Sequence, residues 1–384
     1  MLLENKKIAI IGGGPGGLTL ARLLELKGLS VKVFERDINK DARVQGSPLD
    51  LHEDSGLAAI NKAGLLNEFK KNYMPGADRM QIMNEKGEVL FSDHDTKTEE
   101  NFGYEYFRPE ISRGALRKIL LDSLQSETVI WDSHFASMEP QKEGWLIHFK
   151  NGNSEYADLV VAADGANSKI RPYITDIKAF YSGITMLEGT IYNASATAPK
   201  MNSLLRGGKI MAFGKNKDLL MGQKGDDEIG FYASFKTDEK WAEQSGLDYS
   251  DKSQLLNWFK EEYPEWSTIW HELFEGATIP FIPRPIYCMP LDQSWKALPN
   301  VTMLGDAAHV MPPFAGEGVN MAMRDALELS ELLASDKTMY EAITAYEKNM
   351  LLRASEIARE SLENGERMHS ENALESMLSF FGNH

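Results

Sequence analysis

The chain is short of the features that mark several classes of protein. One of its 384 residues is a cysteine, Cys288, which rules out a disulfide framework, a Cys-x-x-Cys redox pair and a cysteine-rich metal site. Basic residues are scarce: 41 Lys and Arg stand against 57 Asp and Glu, a formal net charge of −16. That balance argues against sequence-independent binding to nucleic acid or to an anionic membrane, both of which need a basic face. No stretch approaches the ~18 consecutive apolar residues of a membrane span. The 8 histidines form no His-Glu-x-x-His, so no metal is expected. Repeats and low-complexity tracts are missing as well. The opening "MLLENKKIAIIGGG" runs straight from a short apolar stretch into glycines, and reads as a strand instead of a signal peptide. What remains is a soluble protein, expected to be cytoplasmic and monomeric, with a small-molecule partner.

At 384 residues there is room for two domains, or for one α/β domain with an inserted lobe. "KKIAIIG" reads as a buried strand, "PGGLTLARLLELKG" as a helix closed by Gly28, and "SVKVFE" as a second strand. "ISRGALRKILLDSLQ" has helical spacing, and "TVIW" and "GWLIHF" read as strands. Between about 176 and 290 the chain turns β-rich, with "KIMAFG", "DLLMGQ", "IGFYASFK" and "ATIPFIP" split by one helix near 252–263. "VTMLGDAAH" then returns to a buried strand, and the C-terminal residues form one long amphipathic helical pattern. The reading is a Rossmann-like domain assembled from 1–75, 100–175 and 295–335. A β-rich substrate domain comes from 76–99 and 176–294, and a helix over 336–384 bridges the two.

"IIGGGPGG" carries G-x-G-x-x-G at Gly12, Gly14 and Gly17, between a strand and a helix. Gly12 allows the tight turn, Gly14 lets a pyrophosphate approach the backbone, and Gly17 lets helix and strand pack closely. Glu35 ends the second strand, 18 residues after Gly17, where a carboxylate can grip ribose hydroxyls; Arg36 follows it. This combination predicts dinucleotide binding without separating NAD from FAD.

Two later stretches decide between them. "VAADGANSKIR" places Asp164 and Gly165 after a buried strand, with Ser168 and Arg171 following; "LGDAAHVMPPFAGEGVN" places Asp306 before two prolines and a glycine turn. Together with the glycine motif, in this order, they resemble the class A flavoprotein monooxygenases, built like p-hydroxybenzoate hydroxylase. "VFERD", "DLHEDSG", "RPEISRGALRKILLDSL" and "TVIWD" extend the likeness to the Tet(X)-type tetracycline-inactivating monooxygenases.

The resemblance implies a glutathione reductase-like FAD domain and a catalytic cycle in which NADPH reduces FAD. O2 then forms a flavin C4a-hydroperoxide that hydroxylates a polycyclic aromatic or enolic substrate, a tetracycline-type antibiotic first among them. By matching motifs, Asp50, Arg113 and Asp306 hold FAD, and Arg43 contacts NADPH, although Arg43 reads equally as a solvated loop charge. Pro313, Gly316, Gly318, Val319 and Asn320 lie along the flavin, whose N1–C2=O edge faces the helix that begins there. No side chain is assigned as catalytic; the flavin carries the chemistry. His309 reads as a structural histidine held by backbone.

The sequence also departs from the family. Glu317 stands where similar proteins have Gln. The substrate-contacting Gln, Arg and His of tetracycline-acting relatives fall at Glu188, Lys209 and Gly230, with Tyr232 adding bulk nearby. Phe314 is retained, either against substrate or as loop packing. Among rivals, a halogenase lacks its Trp-x-Trp-x-Ile-Pro, and a disulfide reductase lacks its second cysteine. A flavoprotein that only sequesters its ligand would not consume NADPH, and a plain nicotinamide dehydrogenase would be colourless.

Overall fold

Ile8–Ile11 is buried on both faces, as suits a strand inside a parallel sheet covered by helices. It is the middle of five parallel strands in the order Val301–Met303, Leu159–Ala162, Ile8–Ile11, Val31–Phe34 and Val129–Ile130. Segments from the start, middle and end of the chain therefore meet in one Rossmann-like sheet. The computed structural model describes residues 5–41, 46–95, 102 and 107–382.

Helix Pro15–Leu26 has proline in its first turn, buries Leu18, Leu20, Leu23 and Leu24, and gives way to Gly28 at φ +75°. Helix Gly318–Leu333 crosses it closely: a Cβ on Gly16 would lie 3.0 Å from the Ala322 carbonyl oxygen.

A second sheet of seven strands has the order Thr278–Cys288, Phe180–Ile191, Glu228–Lys236, Lys217–Gly225, Lys209–Gly214, Met80–Asn84 and Val89–Ser92. Only the pairing of 209–214 with 80–84 is parallel. Its two faces differ because strand side chains alternate. One face carries Leu187, Ile210, Leu219, Phe231 and Ala233 into a core with Trp258, Phe259, Trp270 and Phe274. The other face carries the polar residues described below.

Helix Lys252–Glu262 appears where expected, capped by Asp251. The lobe holds more helix than its sequence suggested: Ala194–Thr197, Pro199–Leu205, Trp241–Gln244 and His271–Gly276 are too short for periodicity to reveal. The C-terminal pattern is also two helices, not one. Met339–Met368 opens on a Thr338/Glu341 capping box and stops where His369 turns inward. His369 Nδ1 meets the Gly365 carbonyl at 2.8 Å and Nε2 meets Ser234 Oγ at 2.6 Å. Ala373–Gly382 then folds back over strands 80–84 and 209–214. No helix among the described residues is long and apolar enough to cross a membrane.

Candidate active site

The glycine motif divides into packing glycines and an open one. Gly12 has φ +114°, and a Cβ there would sit 2.2 Å from the Ala163 carbonyl oxygen; at Gly17 it would sit 2.2 Å from the Gly12 oxygen. Both positions demand glycine. Gly14 has an ordinary φ of −77°, and nothing lies within 4 Å of a Cβ built on it. It faces open space at the head of helix 15–26, where free N–H groups suit a phosphate. Buried Glu35 accepts from the N–H of Gly13 at 2.5 Å and of Asp37 at 2.9 Å, and keeps lone pairs for a ribose. A Cβ on Gly13 would lie 2.8 Å from that carboxylate, so Gly13 is a site residue the spacing rule misses. Arg36 is exposed beside it. Arg43 lies outside the described residues.

The two aspartate motifs are joined by Arg171. Its guanidinium donates to the carbonyls of Ala307 (3.0 Å) and Ala308 (2.7 Å) and to Gln293 (2.7 Å), and burial lowers its pKa to about 10. Asp164 accepts from the Lys169 N–H at 2.8 Å through Oδ2, whereas its buried Oδ1 has no partner. Burial raises the Asp164 pKa. Asp306 and Arg113 are both open to solvent yet enclosed on most sides by protein, which raises the first pKa and lowers the second; such side chains line a cleft. Arg113 heads helix Arg113–Asp122, donates Nε–H to the Ser47 carbonyl at 3.0 Å, and has no carboxylate within 4 Å among the described residues.

His309 is structural, but a carboxylate holds it, not the backbone. Its Nε2 is 2.6 Å from Asp325 Oδ2, and Asp325 also accepts from the Gly305 N–H (3.0 Å) and Arg353 (2.8 Å). Burial opposes charge on His309, but Asp325 and Asp306 outweigh it and raise its pKa.

Asp50, His52 and Glu317 form a chain. His52 Nε2 lies 3.1 Å from Asp50 Oδ2 and Nδ1 lies 2.9 Å from Glu317 Oε1. Burial works against the imidazolium, yet the two carboxylates raise its pKa to about 9. Burial likewise pushes Asp50 up, but His52 and Lys209 hold it below its ordinary value. Asn320 is fully buried and its amide is engaged, accepting from the His52 N–H (2.9 Å) and donating to the Asp50 carbonyl (3.0 Å). Its side chain therefore fixes the 50–52 segment instead of facing a ligand. The helix starts at Gly318, not Gly316; Val319 packs partly on the core. Pro313 is exposed, Gly316 has φ +70°, and a Cβ on Gly318 would meet nothing within 4 Å.

Strand register gathers the four expected floor residues on one face of the seven-stranded sheet. Lys209 pairs with Gly222, Gly222 with Gly230, and Tyr232 with Glu188, and directly paired residues point the same way. Glu188 is held by Arg284 at 2.7 Å, and Tyr232 Oη lies 3.1 Å from Ser47 Oγ. Lys209 pairs with Glu110, so its ammonium is already engaged. Gly230 is overhung: a Cβ there would lie 2.9 Å from Lys224 Cδ, and Lys224 Nζ reaches Thr190 at 3.4 Å. Lys224 and Arg284 escaped the sequence reading because only the strand register brings them here. Phe314 packs beside Gly365 and against the cluster that includes Phe213 and Met368, and meets the His369 ring edge-on at 5.5 Å, which supports loop packing.

Cleft, motif glycines and sheet floor together define a class. Residues 5–273 and 291–361 match the family model described as FAD binding domain, and the chain belongs to this family of class A flavin monooxygenases. It is an FAD-dependent monooxygenase. It is 31% identical over 379 residues to the monooxygenase asqM of Emericella nidulans, covering 85% of this chain and 83% of the relative. In fold it is similar to HpxO of Klebsiella pneumoniae, solved with FAD and uric acid: 20% identity, 98% of this chain, 92% of that one, TM-score 0.75. The tetracycline destructase Tet(55) gives 18% identity, 100% and 96% coverage and TM-score 0.76.

FAD suits the residues present. Gly14 and Gly318 keep side chains out of the cleft, Asp164 Oδ1 awaits a donor, and Asp306 and Arg113 line its wall. Bound there, FAD supplies the redox chemistry and the activation of O2. The chain's own residues would bind and orient it there.

Proposed function

We propose that this enzyme uses NADPH and O2 to hydroxylate a polycyclic aromatic or enolic small molecule, with tetracycline-type antibiotics the first candidates. In this reading residues 1–75, 100–175 and 295–335 bind FAD, 76–99 and 176–294 bind substrate, and the C-terminal helices brace both. One observation carries it: Glu188, Lys209, Gly230 and Tyr232, up to 44 residues apart in sequence, share one face of the seven-stranded sheet beside Arg113. The fold shared with Tet(55) supports the substrate class.

A second reading keeps the chemistry and changes the substrate to a smaller anionic aromatic or heteroaromatic. It is favoured by Arg113 and Lys224, half-enclosed cations with no carboxylate within 4 Å among the described residues. The named uric acid complex of HpxO belongs to that chemistry. The test is incubation with NADPH and a panel holding tetracyclines, polycyclic phenols and uric acid, with products weighed for the gain of one oxygen. Oxygenated tetracycline supports the first reading and oxygenated uric acid the second. NADPH consumption without any oxygenated product sinks both. Arg43→Ala is expected to raise the NADPH requirement while FAD content stays as it was; unchanged flavin reduction by NADPH would make Arg43 a solvated charge.

A further inference from the structure

Glu317 places a carboxylate at the head of helix Gly318–Leu333, where the partial positive charge of the helix would otherwise be free to act on a ligand. We infer that His52 is a positioning residue that cancels this carboxylate, so that the helix can still stabilise the negative charge FAD gains on reduction.

The geometry argues it directly. Both ring nitrogens of His52 face carboxylate oxygens, at 2.9 Å and 3.1 Å. A neutral imidazole has one N–H and could satisfy one of them; facing two carboxylates calls for the doubly protonated ring. The ring is enclosed, its side chain 7% exposed, and Asn320 fixes the backbone that carries it. Beyond Asp50 stands Lys209, itself paired with Glu110 and close to Asp78. On the helix side, Arg324 is occupied by Asp54. Glu317, His52 and Asp50 thus alternate in sign, with His52 the cation between the two carboxylates, and Lys209 beyond them is shared between Asp50 and Glu110. Removing His52 leaves an unbalanced carboxylate at the helix head; removing Glu317 takes that negative charge away and leaves His52 paired with Asp50.

The experiment compares how tightly oxidised and reduced FAD bind to wild type, His52→Gln, Glu317→Gln and the double variant. A purely structural loss would weaken both oxidation states equally, so the readout is the ratio of the two dissociation constants. His52→Gln is expected to disfavour reduced FAD about tenfold relative to oxidised, a fall of about 30 mV in the two-electron potential. Glu317→Gln is expected to shift the ratio the other way, and the double variant to return it near wild type. An unchanged ratio in His52→Gln, or a double variant that keeps the full loss, would overturn the inference. Should His52→Gln fail to hold FAD, the apoprotein decides by NMR. The inference requires the His52 ring of wild type to titrate near 9 and to fall in Glu317→Gln; titration near 6.5 in wild type overturns it.

Discussion

At the scale of single residues, the glycines of the first turn do different work although the motif treats them alike. A Cβ at position 12 would sit 2.2 Å from a backbone oxygen and would force an L-residue to φ +114°, whereas one at position 14 meets nothing within 4 Å. Gly12→Ala is therefore expected to destabilise the apoprotein by at least ~1–3 kcal/mol, the usual scale of such strain. Gly14→Val should leave the apoprotein as stable as wild type while abolishing FAD uptake. Melting curves of the apoproteins and flavin absorbance after reconstitution separate the two; an unstable Gly14→Val would show that its open space is needed for folding. The same reasoning applies at Gly230, where the resemblance to tetracycline-inactivating monooxygenases implies a histidine. A Cβ there would be 2.9 Å from Lys224 Cδ, so the flexible Lys224 side chain must move aside for a histidine to enter. Gly230→His is expected to gain more tetracycline turnover together with Lys224→Ala than alone. Equal product formation by the single and double variants would mean that Lys224 is not the obstacle.

At the scale of elements, His52 ties the 49–56 segment to helix 318–333, and its pKa gives that link a pH dependence. The group's folded value, about 9, lies above its ordinary 6.5. Its contribution is therefore fully present below 6.5 and is lost as pH rises through about 9, with an upper size of about 3 kcal/mol at ~1.4 kcal/mol per pKa unit. Urea denaturation at pH 7 and pH 10 should show wild type losing more stability than His52→Gln over that interval. Identical losses would mean that the ring is neutral throughout. This link also marks where the sequence stops being legible. The glycine motif, Glu35, Asp164 and Asp306 can be read from the chain because each contact is set by a short strand, turn and helix run. Glu317 could be seen as odd but not explained, since its partner His52 lies 265 residues away and reaches it through tertiary packing. Lys224 and Arg284 were hidden for a similar reason: which face of a strand they occupy depends on register and on a bulge between Gln223 and Gly225.

At the scale of the whole molecule, helix Met339–Met368 connects the cofactor side to the sheet floor. Near its start Tyr346 donates to the Met303 carbonyl at 3.0 Å and Glu347 accepts from Thr302 at 2.7 Å; farther along Arg353 grips Asp325 at 2.8 Å, beside the turn that carries Asp306. Near its end Ser361 donates to the Pro312 carbonyl at 2.5 Å, Glu366 pairs with Lys236, and His369 reaches Ser234. The helix therefore sets the distance between the proline turn and the sheet, and Gly365 sits at the tightest point. A Cβ there would lie 2.7 Å from Phe314 Cδ2 and 3.3 Å from Ile184 Cδ1. Gly365→Ala would gain up to about 1 kcal/mol of helix propensity and lose ~1–3 kcal/mol to overpacking, so the net change should be a destabilisation of up to ~2 kcal/mol. The larger effect should be on function, because the ring that must yield is Phe314, on the turn between Pro312 and Gly316. The expected result is normal FAD content with an altered KM for whichever substrate the product screen identifies, relieved when Phe314→Leu is added to make room. If KM and kcat both stay at wild-type values, the helix is only a brace, and the spacing between turn and sheet floor is set by other contacts.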